Sequence, residues 1–131
     1  MADNLTKIPR PLNILVVDDD ERFRSVVASH LDKAGFFVKT AQDGATALAE
    51  LQQKKFDLVV LDIVMPGMSG FDVLREIRSK DIKTKIIMLS ILRQEEDMWL
   101  AKELGASECF AKLSHDFIDK VVEYAEQLSL R

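Results

Sequence analysis

Leu12-Asn13-Ile14-Leu15-Val16-Val17 runs directly into Asp18-Asp19-Asp20, and Phe56-Asp57-Leu58-Val59-Val60-Leu61 runs directly into Asp62. Both are short apolar runs dominated by Val, Ile and Leu, the composition of strands buried on both faces of a parallel sheet. Three further runs follow the same pattern: Phe36-Phe37-Val38-Lys39-Thr40, Lys85-Ile86-Ile87-Met88-Leu89 and Glu108-Cys109-Phe110-Ala111.

Amphipathic stretches separate the runs. Phe23, Val26, Val27, His30, Leu31 and Ala34 recur at helical spacing, with Gly35 as a terminator. Ala45, Leu48 and Leu51 mark a second helix after Asp43-Gly44, and Phe71, Leu74 and Ile77 a third after Ser69, an N-cap residue type. A fourth covers roughly Arg93 to Leu104 and stops at Gly105. A fifth, from about His115, carries Phe117, Ile118, Val121, Val122, Ala125 and Leu128 on one face. Strict strand–helix alternation implies an α/β fold: a doubly wound five-stranded parallel sheet with right-handed crossovers and helices on both faces.

The 131 residues fit one domain and leave no room for a second folded one. With 47% hydrophobic and 31% charged residues, the chain can build a core and is not a disordered segment. The net charge of −4 argues against direct binding to nucleic acid, which calls for a basic face. One cysteine and two histidines exclude an intrachain disulfide and a multi-cysteine or His-rich metal site. No segment approaches the roughly 20 consecutive apolar residues of a membrane span. The opening residues lack the apolar core of a signal peptide and read as a short polar leader. A soluble cytoplasmic domain with no membrane association is the expectation.

In an open α/β sheet, ligands bind beyond the carboxyl ends of the strands. Asp18, Asp19, Asp20 and Asp62 gather there, and like charges in a low dielectric repel. A hard divalent cation with oxygen ligands meets that need. The plainer alternative is that Asp19 or Asp20 caps the first helix; it leaves Asp62, at the end of a buried strand, without a role. Ser90 and Lys112 end the fourth and fifth strands at the same edge. Acids, a hydroxyl and an ammonium at successive strand ends suit a transferable anion: a carboxylate attacks phosphorus, a metal neutralises oxygens, and hydroxyl plus ammonium hold the transferred group.

Val16-Val17-Asp18-Asp19-Asp20, Leu61-Asp62-Ile63-Val64-Met65-Pro66-Gly67-Met68-Ser69-Gly70, Ser90 and Lys112 resemble the response-regulator receiver domain of two-component signalling. The likeness covers residues 12–128, between the polar leader (1–11) and a short tail (129–131). It implies a flavodoxin-like strand order of 2-1-3-4-5 and a phosphorylation switch that turns over no external metabolite. It implies Asp62 as acceptor of a phosphoryl group from a histidine kinase or phosphotransfer protein. Asp18, Asp19, Asp62 and the Val64 backbone carbonyl would hold Mg²⁺, and Ser90 and Lys112 would contact the phosphoryl oxygens. Receivers commonly use the region of their fourth and fifth helices to form a homodimer or dock an effector.

Three positions depart from the family pattern. Ile91 stands where a small residue usually follows the hydroxyl, Cys109 where an aromatic often acts as a rotameric switch, and Leu113 where a proline commonly follows the lysine. An aromatic relay is therefore not expected. Val64 and Leu92 occupy the positions that flank the path of hydrolytic water in receivers, and with Ile91 they cannot orient or polarise it. Slow self-dephosphorylation is the expectation; the alternative is that these side chains turn outward and leave the phosphoryl group open.

Other residues carry less. His30 and His115 read as structural, Cys109 as strand packing, and Trp99, surrounded at helical spacing by charged residues, as at least partly solvent-exposed. Ile91, Cys109 and Leu113 would also suit a phosphorylation-independent interaction module, which the intact acidic, hydroxyl and lysine set opposes. A flavodoxin-like cofactor site would not place three aspartates beside a phosphate. Asp18 and Asp20 form the Asp-x-Asp pair of aspartate-nucleophile hydrolases, but that reading needs a solvent-excluding cap and leaves Asp62 unexplained.

Overall fold

The computed structural model describes residues 10–91 and 95–130. Ten elements alternate along it: β1 (Asn13–Val17), α1 (Glu21–Lys33), β2 (Phe37–Ala41), α2 (Gly44–Gln53), β3 (Leu58–Asp62), α3 (Gly70–Ser79), β4 (Lys85–Ser90), α4 (Glu95–Glu103), β5 (Glu108–Ala111) and α5 (Phe117–Ser129). All pairings are parallel and the strand order is β2-β1-β3-β4-β5, as the resemblance implied.

Strand alternation builds two cores. Leu15, Val17, Val59, Leu61, Ile86 and Met88 face α2, α3 and α4, where they meet Ala47, Val73, Leu74, Ile77 and Ala101. Ile14, Val16, Leu58, Val60, Ile87 and Leu89 face α1 and α5, where they meet Val27, Leu31, Phe117, Val121, Ala125 and Leu128. Cross-strand partners share a face, as in Val16↔Val60 and Val60↔Ile87, so a one-residue slip would exchange the cores. Each fully buried aliphatic contributes roughly 1.5–3 kcal/mol, which holds the central strand ends in place.

Local signals start and stop the helices. Asp20 caps α1, accepting from the Arg22 and Phe23 amides, and Ser69 forms a capping box with Asp72 at α3. Gly35, at φ +98°, reverses the chain after α1.

Two helix faces differ from their sequence patterns. Val26 and His30 are exposed, because α1 sends only a narrow stripe, Val27 and Leu31 with half-buried Phe23, into the core. In α2 the buried positions are Gly44 and Ala47, not Ala45, because α3 and Met68 press closely on Gly44. The fifth helix starts at Phe117 rather than near His115. Arg93 and Leu92 lie outside the described residues, as do residues 1–9 of the leader. No helix among the described residues is long and apolar enough to cross a membrane.

Candidate phosphoryl site

β1 and β3 are neighbours, and the chain winds away from them in opposite directions to β2 and β4, so their carboxyl ends open a crevice. Asp62 is the last residue of β3 and Ser90 the last of β4, whereas Asp18 and Lys112 immediately follow β1 and β5. The Asp18 amide donates to Ala41 (3.1 Å) and the Lys112 amide to Ser90 (2.7 Å), extending the strand ladders to the site. The sequence-derived residues therefore converge at one edge.

The Asp18 carboxylate is held at both oxygens: the Asp20 amide donates to Oδ1 (2.9 Å), and Lys112 Nζ lies 2.8 Å from Oδ2. Arg24, one helical turn along α1, donates from Nη1 to the Asp18 carbonyl at 2.8 Å. Lys112 Nζ also stands 3.3 Å from Asp62 Oδ2. The other Asp62 oxygen, Oδ1, is buried with no hydrogen-bond partner among the described residues. An unsatisfied buried carboxylate oxygen is costly unless a cation or donor meets it.

Carboxylate oxygens of Asp18, Asp19 and Asp62 lie within 4.8 Å of one another, with Asp18 and Asp62 buried and Asp19 exposed. Three hard oxygen donors converging beside an orphaned oxygen fit a small divalent cation approached from solvent. The cap alternative is also resolved: Asp20 caps α1, leaving Asp19 available to the cluster.

The electrostatics follow this crowding. Burial first, and then the Asp18 charge, push the Asp62 pKa up to about 6 despite the opposing Lys112. For Lys112, burial pulls the pKa down, but the hydrogen bond to Asp18 and the charges of Asp62 and Asp18 outweigh it and the net direction is up. Lys112 is thus a fixed cation at neutral pH. Ser90 is buried, and its hydroxyl donates to Asp97 Oδ2 in the first turn of α4 at 3.4 Å.

The rim is aliphatic. Val64, two residues past Asp62, is 58% exposed, Ile91 is 37% exposed and Leu113 69%. Cys109 is buried, and burial together with the Asp97 charge pushes its thiol up to about 11, so it is protonated packing rather than a reactive group. His30 and His115 are exposed, the former with Nδ1 2.9 Å from the Val26 carbonyl. Trp99 is 65% exposed, while Met98 beside it packs onto the core.

Phe23, Arg24 and Asp97 also touch this site's residues and carried no signal in the sequence. Phe23 reads only as part of an amphipathic stripe, and Arg24 and Asp97 as ordinary surface charges. Their contacts depend on how α1 and α4 lie across the strand ends.

Known proteins share the family and the fold of this chain. The sequence matches the family described as response regulator receiver domain over residues 14–123. It is 37% identical over 99 residues to the alkaline phosphatase synthesis transcriptional regulatory protein PhoP of Bacillus subtilis (strain 168), covering 76% of this chain and 41% of that protein. The chain thus spans about two-fifths of the length of the curated relatives it matches. Among solved structures, the receiver domain of Francisella response regulator 1452 aligns with a TM-score of 0.84 at 26% identity, over 90% of this chain and 96% of that one. The Thermotoga maritima response regulator protein TrrA, solved in complex with Mg²⁺-BeF, aligns with a TM-score of 0.78 at 36% identity, over 89% of this chain and 98% of that one.

Proposed function

This chain belongs to the response regulator receiver domain family of two-component signalling, and from that membership we propose that it takes a phosphoryl group onto Asp62 from the phosphohistidine of a histidine kinase or phosphotransfer protein. The observation that carries the reading is Asp62 Oδ1, a buried carboxylate oxygen without a hydrogen-bond partner among the described residues, beside a buried lysine and two further carboxylates.

The chemistry assigns a task to each group. An Asp62 oxygen attacks phosphorus in line, forming an O–P bond as the phosphohistidine N–P bond breaks and its electron pair returns to the imidazole nitrogen. Lys112 and Ser90 hold the transferred oxygens, and Asp18 keeps Lys112 beside Asp62. Asp18, Asp19, Asp62 and the Val64 carbonyl would hold Mg²⁺, which supplies charge neutralisation for the crowded oxygens. The protein is a signalling switch, and the only turnover proposed is its own phosphorylation and dephosphorylation.

Output follows from the Ser90 hydroxyl proton, now directed at Asp97. A phosphoryl oxygen on Asp62 competes for that proton and repels the Asp97 carboxylate, which biases α4 toward a second position and alters the surface offered to partners. A homodimer or an effector docking on α4 and α5 would read that change. Amide NMR spectra with Mg²⁺ and beryllofluoride, a phosphoryl mimic, test the reading. Shifts should appear at Asp62, Lys112 and α4 in the wild type and vanish in Asp62→Ala. Identical spectra with and without the mimic would sink it.

A further inference from the structure

Lys112 has three ammonium protons and 3% exposure, so nearly all of its interactions must come from protein. Two carboxylates, Asp18 and Asp62, face the nitrogen. The third neighbour is the Phe23 ring, whose centroid lies 4.3 Å from Nζ. Two other lysines approach rings less closely, Lys54 over Phe56 at 5.6 Å and Lys120 over Phe110 at 5.9 Å, and both are exposed. A cation is attracted to a ring face most strongly when close and desolvated, and among the described residues only Lys112 meets both conditions.

The geometry of Phe23 is determined from several sides. Asp20, the α1 cap, accepts from the Phe23 amide at 3.2 Å, fixing the first helical turn against the acidic cluster. The Phe117 ring, at the start of α5, backs the Phe23 ring at 5.9 Å between centroids and an interplanar angle of 48°. Phe110 packs toward α1 and α5, and Lys112, two residues further, continues on that side of the sheet. The ring is thus a fixed wall for a lysine that would otherwise be ordered by carboxylates alone.

We propose that Phe23 is a positioning residue for phosphoryl transfer: its ring face holds the Lys112 ammonium at the Asp18–Asp62 pair, where the incoming phosphoryl oxygens arrive. This rests on the reading of Asp62 as acceptor. Without the ring face the ammonium keeps its charge but loses its third contact, and fewer molecules present it to the phosphoryl group. Loss of the ring should slow acceptance about fivefold to tenfold, within the range of a desolvated cation–ring contact.

The test compares the wild type with Phe23→Leu, Phe23→Tyr and a protein carrying trifluorophenylalanine at position 23, which keeps the shape but drains the ring face of negative potential. Acceptance from acetyl phosphate with Mg²⁺ should be near wild type for Phe23→Tyr, intermediate for the fluorinated ring and slowest for Phe23→Leu. Equal rates for the wild type and the fluorinated protein, or a Tyr variant as slow as Leu, would overturn the proposal. Side-chain NMR of Lys112, without metal or donor, provides an independent arm. Its terminal protons should be shielded by the ring in the wild type and in Phe23→Tyr, and released in Phe23→Leu. Unshielded protons in the wild type overturn the positioning role by themselves, whereas absence of any adduct on wild-type Asp62 overturns the acceptor reading.

Discussion

A β-carbon placed on Gly70 would fall 2.2 Å from the Asp62 carbonyl oxygen and 2.8 Å from the Ile63 Cα. The start of α3 therefore lies directly against the backbone at the end of β3, and the Gly70 amide donates to the Ile63 carbonyl at 2.8 Å. A side chain here must push on backbone that also aims Asp62. Gly70→Ala should destabilise the fold by ~3 kcal/mol, since the neighbouring atoms are not a flexible side chain. Urea unfolding measures it, and a loss below about 0.5 kcal/mol would show that the loop yields freely.

Mg²⁺ should stabilise the protein by relieving the repulsion among Asp18, Asp19 and Asp62. At ten times its dissociation constant the ion adds roughly 1.4 kcal/mol. Asp19→Ala should lose most of this response, because Asp19 is the exposed member of the cluster and is not the α1 cap. A melting temperature indifferent to millimolar-scale Mg²⁺ counts against the cluster as a cation site.

Much of this site was readable from residues at strand ends. Once β1, β3, β4 and β5 are recognised as parallel strands, Asp18, Asp62, Ser90 and Lys112 must share an edge, because parallel strands present their carboxyl ends together. Helix faces were less readable. Gly44 is buried but carries no hydrophobic signal, and Val26 is apolar yet exposed at 42% because the sheet accepts only the Val27–Leu31 stripe. The Phe23–Lys112 and Ser90–Asp97 contacts join elements far apart in sequence or set by a helix tilt. No local pattern encodes either.

In metal-free buffer the titration of Asp62 should leave a mark on stability. The folded protein holds this proton up to about pH 6, whereas an unfolded carboxyl releases it near pH 4. The contribution is therefore complete below about pH 4 and is lost as pH rises through about 6, an effect on the order of 2–3 kcal/mol. Wild-type stability relative to Asp62→Asn should fall across that window in chemical denaturation. A difference that is flat, or that grows with pH, contradicts the burial account.

The lifetime of the acyl phosphate should be long. Val64 and Ile91 are aliphatic rim residues that cannot polarise water, and Leu92, the other expected flanking residue, lies outside the described residues. Replacing Val64 and Leu92 together with polar residues should speed loss of the phosphoryl group about tenfold, or about 1.4 kcal/mol of barrier. Unchanged decay in the double variant would mean that water reaches phosphorus by a path these positions do not border.

In the proposed function Asp62 is the acceptor and its neighbours enable the transfer. The most direct measurement is intact-mass analysis after incubation with acetyl phosphate and Mg²⁺, followed by peptide mapping, for the wild type, Asp62→Ala and Asp18→Ala. The account predicts one phosphoryl adduct in the wild type, located on Asp62, none in Asp62→Ala, and a much-reduced yield in Asp18→Ala, where Lys112 loses its 2.8 Å partner and the acidic cluster loses a ligand. An adduct of equal yield in Asp62→Ala, or one mapped to another residue of the wild type, would contradict it.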